Sequence, residues 1–359
     1  MIWTCDTAPG TVILRESGNL ETKIPVPESG TFHAVPLEGL LPDTEYSYQV
    51  VSGDRLSSEH IFRTLPERRP DGTSAPFPFI AYGDNRSKPD RHEEVIDSIL
   101  KGPAPSLVVS TGDLVYSGSD RKRWFREFLD PAEALFARVP IMLSLGNHDL
   151  DLDAPKPRPL APFWLENFAF PGHLDDPGYG RWFSLDAGGV HFLILDSTSE
   201  KNEDQMRWLR EDLSSAESRG ADFRIAVFHH PPYAAGGHDS SLSLRRIWEP
   251  LFVEHGVDLV FNGHNHYYQR SWPVVGGEVQ ARAMHQEGSD IIQAGQAPVY
   301  VVTGGGGAPL YDPKEKDFVA VSAKSHHHVL VQYVPGALNC RAIDTNGVIL
   351  DEFTLINGE

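Results

Sequence analysis

The chain changes its hydrophobic rhythm near residue 66. Before that point, apolar and polar positions alternate in short runs. In "TEYSYQVV", Tyr46, Tyr48 and Val50 share one face with polar residues between them, and "EHIFRTL" repeats the alternation more briefly. Turn-rich breaks such as "ESG" and "LLPDT" separate these runs, so residues 1–66 are expected to form a small all-β module. A stretch dense in Pro, Gly and charge, "PERRPDGTSAPFP", reads as a linker centred on 67–76. From 77 to 359 the apolar runs become short and continuous: "FPFIAYGD", "SLVVSTGD", "IMLSLGNHD", "FRIAVFHH" and "VDLVFNGH". Such runs are the mark of strands buried on both faces. Helical spacing falls between them, most clearly at Leu244, Ile247, Trp248, Leu251 and Phe252, which predict one amphipathic helix over 244–255. "RWFSLDAGGVHFLILD" predicts a hairpin turning at Gly188-Gly189, and the last 35 residues predict further strands. The larger part is therefore expected to be α/β, with ligands gathering beyond the carboxyl ends of its strands.

Composition narrows the class. The chain has 359 residues, 40% hydrophobic and 23% charged, the profile of a soluble globular protein with room for a large core. No apolar run approaches the roughly 18 residues of a membrane helix. The start, "MIWTCDTAPG", has no basic segment followed by an apolar core, so no signal peptide is expected. A trimmed exported protein would look the same, and exported and cytoplasmic locations both stay open. The two cysteines, Cys5 and Cys340, sit at opposite ends and make neither a disulfide framework nor a Cys-type zinc site. A net charge of −19 argues against a nucleic-acid-binding face. It also means that an anionic substrate needs a local reversal of sign, which bound cations supply. Oligomeric state is not legible.

Each apolar run ends in a polar cluster. In order they read "GDNR" (83–86), "GDLVY" (112–116), "GNHD" (146–149), "FHHPPY" (228–233) and "GHNH" (263–266). Asp, Asn and His without Cys suit hard or borderline cations. A single Asp or His at a strand end is commonly a cap or a satisfied polar group; five such ends in one chain are not easily accidental. "TGGGG" (303–307) lacks the Lys-Ser/Thr of a phosphate-binding P-loop and reads as a close-packed loop bordering the pocket.

This set of loops resembles the calcineurin-like metallophosphoesterase superfamily. A Tyr three residues after the second Asp, and "GHNHYYQR", are similar to the purple acid phosphatase-like branch. "GLLPDTEYSYQV…FRTLP" resembles the fibronectin type III-like domain that precedes such enzymes, although it starts late. Trp3 stands where a second strand usually lies, which leaves a missing first strand and a shortened domain both open. The resemblance implies a four-layer α/β/β/α sandwich over 77–359 with two metal ions at the strand ends.

Carried over by motif, the first ion would be held by Asp84, Asp113, Tyr116 and His266, with iron expected there. The second, zinc, manganese or iron, would be held by Asp113, Asn147, His229 and His264. Asp113 would bridge the two. Tyr116 would replace the imidazole that the wider superfamily places where this chain has Arg86, since a phenol ionises at neutral pH only beside strong positive charge. The purple branch usually has Gly at that position. Arg86 is expected either to hold a phosphate oxygen or to pair with a nearby acid.

The function implied is hydrolysis of a small phosphomonoester by a metal-bound hydroxide. His148, with Asp149 as its partner, is the first candidate to protonate the leaving group. His238, nine residues after His229, is the second, and both are candidates for substrate binding. His230 is expected to be structural, because its neighbour position faces away in an extended segment. His326, His327 and His328 precede a strand and are expected to lie outside the chemistry. Two rivals stay open: a phosphodiesterase or nucleotide hydrolase using the same site, and a catalytically degenerate binding or adhesion protein.

Overall fold

The computed structural model describes residues 2–4, 9–16, 21–26, 31–286 and 288–357, with the side chains of 2–4 and 216–218 left aside. Cys5 lies outside the described residues, and Cys340 is a buried free thiol. Two mixed sheets face each other. The first has eight strands in the spatial order Ile141–Leu143, Leu107–Ser110, Phe77–Tyr82, His327–Val334, Ala337–Asp344, Ile349–Ile356, Ser289–Gln293 and Met284–Gln286. The second has seven, in the order Phe183–Ala187, Val190–Ile194, Phe223–Val227, Leu259–Asn262, Val299–Thr303, Tyr268–Ser271 and Val319–Ala323.

The two-residue period of a strand sorts side chains into layers. Phe77, Phe79 and Ala81 turn inward to meet Phe192, Ile194, Phe223, Ile225 and Val227 of the opposite sheet. Their neighbours Ile80 and Tyr82 turn outward onto helices Pro89–Lys101 and Asp130–Phe136. On the far side, Ala226, Phe228 and Val260 pack under helices Glu203–Arg219, Leu242–Ile247 and Glu249–Glu254. The result is the expected four-layer α/β/β/α stack.

Three strands of the first sheet run parallel, as do four of the second. Their carboxyl ends release the polar loops along one edge. Backbone bonds stitch the two sheets there: Gly83 N–H donates to Thr303 O at 3.1 Å and Ala308 N–H to Asp84 O at 2.8 Å. The glycine tract is close-packed, as expected. A Cβ at Gly306 would lie 2.4 Å from Gly83 O, and one at Gly304 would lie 2.4 Å from Asn265 O.

The hairpin at Gly188-Gly189 forms, with Gly188 at φ +54°. The single helix expected over 244–255 is instead two, Leu242–Ile247 and Glu249–Glu254, broken at Trp248. Pro250 explains the break: it has no N–H to donate, and its ring opposes the carbonyl four residues back. The apolar stripe still faces one core.

In the N-terminal part, strand Gly10–Glu16 pairs with Glu21–Val26 and Glu45–Ser52, and the latter also pairs with Arg55–Leu56 and His60–Arg63. Tyr46 and Val50 are buried on one face, as the alternation predicts. The Tyr48 hydroxyl donates to Ala137 O at 2.8 Å, joining this sheet to the larger part. The Pro-rich connection is no free tether. Gly188 N–H donates to Pro66 O at 2.7 Å, and Arg68 pairs with Asp222 at 2.8 Å.

Candidate metal centre

Six of the seven expected ligands converge between the two sheets. Asp84, at the end of Phe77–Tyr82, is fully buried and has φ +54°. Its Oδ2 accepts the His264 backbone N–H at 2.8 Å, while Oδ1 lies 3.4 Å from His266 Nε2. Asp113, after Leu107–Ser110, has φ +55° and stands at the centre. Its Oδ1 accepts the His148 N–H at 2.9 Å and lies 3.3 Å from His229 Nε2, and its Oδ2 lies 3.3 Å from Arg86 Nε. Asp84, Asp113 and His229 bring their donor atoms within 4.8 Å of one another.

Backbone carbonyls fix how the imidazoles present themselves. His229 Nδ1 lies 2.9 Å from Thr111 O, and His266 Nδ1 lies 2.8 Å from Pro309 O. A carbonyl only accepts, so in each ring Nδ1 carries the hydrogen and the Nε2 lone pair faces the basin. His264, with φ +68°, turns its Nδ1 to within 3.2 Å of His229 Nε2. Two facing lone pairs repel unless a cation or a proton lies between them. In His229, burial opposes the charged form but the Asp113 carboxylate outweighs it, raising the pKa to about 9. Burial and the neighbouring His229 push His264 far down. The two rings of "GHNH" turn to different neighbours, His264 to His229 and His266 to Asp84.

Two of the expected ligand oxygens, Asp84 Oδ1 and Asn147 Oδ1, are buried with no hydrogen-bond partner. An orphaned buried acceptor is costly, and these are the atoms expected to ligate one ion each. The residues present therefore fit a pair of cations.

Tyr116 is the exception among the seven. It is 48% exposed, with its ring 5.4 Å from that of His148 and the guanidinium groups of Arg123 and Arg86 at 4.9 and 5.8 Å. It stands at the rim.

The expected pairing of His148 with Asp149 does not form. Asp149 is fully buried, and its two oxygens accept backbone N–H groups of Asp113, Gly146 and Leu114 at 2.8–2.9 Å. Consecutive side chains of the turn point opposite ways, so Asp149 braces the loops from inside while His148 faces out. Burial and the nearby Asp113 raise its pKa, to about 7, against those N–H donors. His148 instead places Nδ1 2.6 Å from Tyr116 O, which leaves Nε2 free to exchange a proton. Its pKa is lowered, chiefly by burial, with Arg86 adding to the effect.

His238 is exposed and stacks on His264 with centroids 4.3 Å apart. His230 sits closer to the centre than its extended segment suggested. Its ring lies 4.5 Å from His264, and its Nδ1 lies 2.9 Å from Ser197 Oγ. His326 and His327 contact the glycine tract instead, at Gly305 O (3.0 Å) and Thr303 Oγ1 (3.1 Å).

Sequence reasoning missed two residues. Glu127 is buried in a π-helical turn, Trp124–Leu129, and its Oε2 accepts both Ser87 N–H (3.0 Å) and Tyr116 N–H (2.8 Å). It ties the first two polar loops together, while Arg123 and Arg126 hold its other oxygen. Tyr311 stacks on His266 with centroids 4.2 Å apart. No motif marks either one; an acid in an otherwise aromatic run, "WFREFL", was the sole hint for Glu127.

A buried carboxylate-imidazole basin at the strand ends of a four-layer sandwich defines a metallophosphoesterase. The sequence profile of that class, "Calcineurin-like phosphoesterase", matches residues 77–268, and the chain belongs to this family. Within it the resemblance is to purple acid phosphatases. The chain is 28% identical over 310 residues to "Purple acid phosphatase 15" of Arabidopsis thaliana, covering 78% of this chain and 54% of that one. It is 27% identical over 317 residues to "Phosphoenolpyruvate phosphatase" of Allium cepa, covering 84% and 63%. The chain thus spans less than two thirds of the length of these relatives. The purple acid phosphatase PPD1 of yellow lupin seeds has the same fold, with a TM-score of 0.79 at 18% identity over 99% of this chain and 71% of that one.

Proposed function

We propose that the protein is a metal-dependent phosphoric ester hydrolase acting on small phosphomonoesters. The convergence of Asp84, Asp113, Asn147, His229, His264 and His266, with two ligand oxygens left unpartnered, is the observation that carries this reading. Asp84, Asp113, Tyr116 and His266 would hold the first ion, iron. Asp113, Asn147, His229 and His264 would hold the second: zinc, manganese or iron. When bound, the ions supply Lewis-acid charge for the phosphoryl oxygens and activate water.

The chain's own residues do the rest. Arg86 presents a planar fork at the edge of the basin, suited to two phosphoryl oxygens. His148 offers Nε2 for proton transfer to the leaving alkoxide, its ring aimed by the Tyr116 carbonyl. His238 borders the opening beside His264 and would contact the ester group. Asp149 acts through the loops it braces, not on the substrate. The β-module over 1–66 and the linker over 67–76 support the catalytic part over 77–359 and add no chemistry of their own.

The test is turnover of p-nitrophenyl phosphate against bis-p-nitrophenyl phosphate. Faster turnover of the monoester is expected, and Asp113→Ala should lower it by about a thousandfold or more. Preference for the diester would favour the phosphodiesterase reading. No turnover of either by metal-loaded protein would favour a binding protein.

A further inference from the structure

Strand Phe223–Val227 ends before the loop that carries His229 and His230. Side chains alternate only within a strand, and the two histidines follow in a bend. Both rings therefore approach His264, with centroids 5.0 and 4.5 Å from it. Two groups of donor atoms gather here, each with its members within 4.8 Å of one another: Asp84, Asp113 and His229, and His229, His230 and His264. His229 belongs to both, so the second group abuts the first. Nitrogens bound to one zinc ion lie within roughly 4 Å of each other, twice the bond length. The spacing of the three imidazoles is on that scale.

Ser197 sets how His230 presents itself. It opens the turn Ser197–Ser199 beyond strand Val190–Ile194, which runs parallel beside Phe223–Val227. Asp196 pins this turn, accepting the Thr198 N–H at 2.8 Å and pairing with Arg181 at 2.6 Å. The buried Ser197 Oγ accepts the His230 backbone N–H at 2.9 Å and lies 2.9 Å from the ring Nδ1. A hydroxyl oxygen has a second lone pair to accept an Nδ1–H. With that bond made, the Nε2 lone pair is free. Thr111 O and Pro309 O impose the same presentation on His229 and His266.

We propose that His230 is a further ligand of the second ion, aimed by Ser197. The inference rests on the two-ion reading given above. A third neutral imidazole adds no charge, and it favours zinc over manganese, which prefers oxygen ligands.

The test is calorimetric titration of chelator-stripped protein with zinc and, separately, with manganese. In His230→Ala one of the two zinc ions should bind about a hundredfold more weakly, and manganese should lose about tenfold or less. Ser197→Ala keeps the ring and should weaken the same zinc ion by about tenfold. In the His230→Ala background it should add no further loss, because the hydroxyl then has no ring to aim. Should His230→Ala not fold, the zinc loss in Ser197→Ala carries the reading, and wild-type zinc affinity there overturns it. Wild-type affinity for both zinc ions in His230→Ala would overturn the proposal and leave the second ion to Asp113, Asn147, His229 and His264. Equal losses of zinc and manganese would also overturn it, since they mark a structural role. A raised Michaelis constant for p-nitrophenyl phosphate with both zinc affinities intact would overturn it too, by placing the ring on the substrate. Wild-type protein that binds fewer than two zinc ions overturns the two-ion reading and this one with it.

Discussion

Asp84, Asp113 and His264 share a backbone feature that composition cannot reveal: all three have positive φ, of 54°, 55° and 68°. For a residue other than glycine this costs roughly 1–3 kcal/mol and persists only where the surroundings enforce it. Here they do. A Cβ at neighbouring Gly263 would lie 2.4 Å from Asp84 Oδ2, and one at Gly146 would lie 2.2 Å from Asp113 N. The glycines let the loops close in, and the strained residues turn their side chains into the basin. Ligand identities were thus legible in "GD", "GNH" and "GHNH", while the backbone that aims them was not. The same gap misled the reading of Asp149, whose place beside His148 in sequence says nothing of which way it turns. Tyr116 is the residue most in need of test. The guanidinium groups of Arg86 and Arg123 lie over its ring at 5.8 and 4.9 Å. Protein loaded with iron should show a visible charge-transfer band that is lost in Tyr116→Phe. A band that survives the substitution removes Tyr116 from the ligand set.

Between single residues and the whole lies the packing of one element on the next. Strand Val190–Ile194 illustrates what a hydrophobic pattern leaves out. His191 is fully buried at a position that pairs with Asp186 across the hairpin. Its Nδ1 lies 2.6 Å from Asp186 Oδ1 and its Nε2 2.8 Å from Asp212 Oδ2, which belongs to helix Glu203–Arg219. Arg219 closes the group by binding Asp186 at 2.7 Å, and Ser184 binds Asp212 at 2.6 Å. Burial alone would lower the pKa of His191, but hydrogen bonds to the two carboxylates outweigh it and the pKa is raised. The imidazolium therefore joins helix to hairpin. A group whose folded pKa is raised stabilises fully below its unfolded value of about 6.5 and loses that contribution as pH climbs through the folded value. The urea midpoint should fall as pH rises above about 6.5. In His191→Asn it should be lower at pH 6 by the equivalent of about 2 kcal/mol, and fall less steeply than the wild type across that window. Parallel pH profiles for the two proteins would show that the charge on His191 contributes nothing. None of this is readable before register is known. The hairpin was predicted from Gly188-Gly189, but the partner in Asp212 comes from a helix 21 residues further on. For the same reason the sequence stripe over 244–255 located a buried face correctly and missed the break at Trp248.

Across the whole molecule, the site is where the two sheets are held to each other. The first sheet delivers Asp84, Asp113 and Asn147; the second delivers His229, His264 and His266. A chain of net charge −19 concentrates buried carboxylates here, and in the absence of cations their repulsion opposes closure of the sandwich. Cation binding should therefore appear as stability of the entire catalytic part, not only as activity. A ligand present at about a hundredfold above its dissociation constant adds about 2.7 kcal/mol. For a part of this size that corresponds to an increase of roughly 5 °C in Tm. Protein treated with a chelator should melt lower by about that amount, and readdition of zinc, manganese or iron should restore it. Asp113→Ala removes the residue that links both halves of the ligand set, so its Tm should not respond to metal. Asp149→Asn would lose loop bracing yet keep the ligands, so it should melt lower while still responding. Equal melting of chelated and metal-loaded wild-type protein would mean that the basin, despite its two orphaned oxygens, does not bind cations in solution.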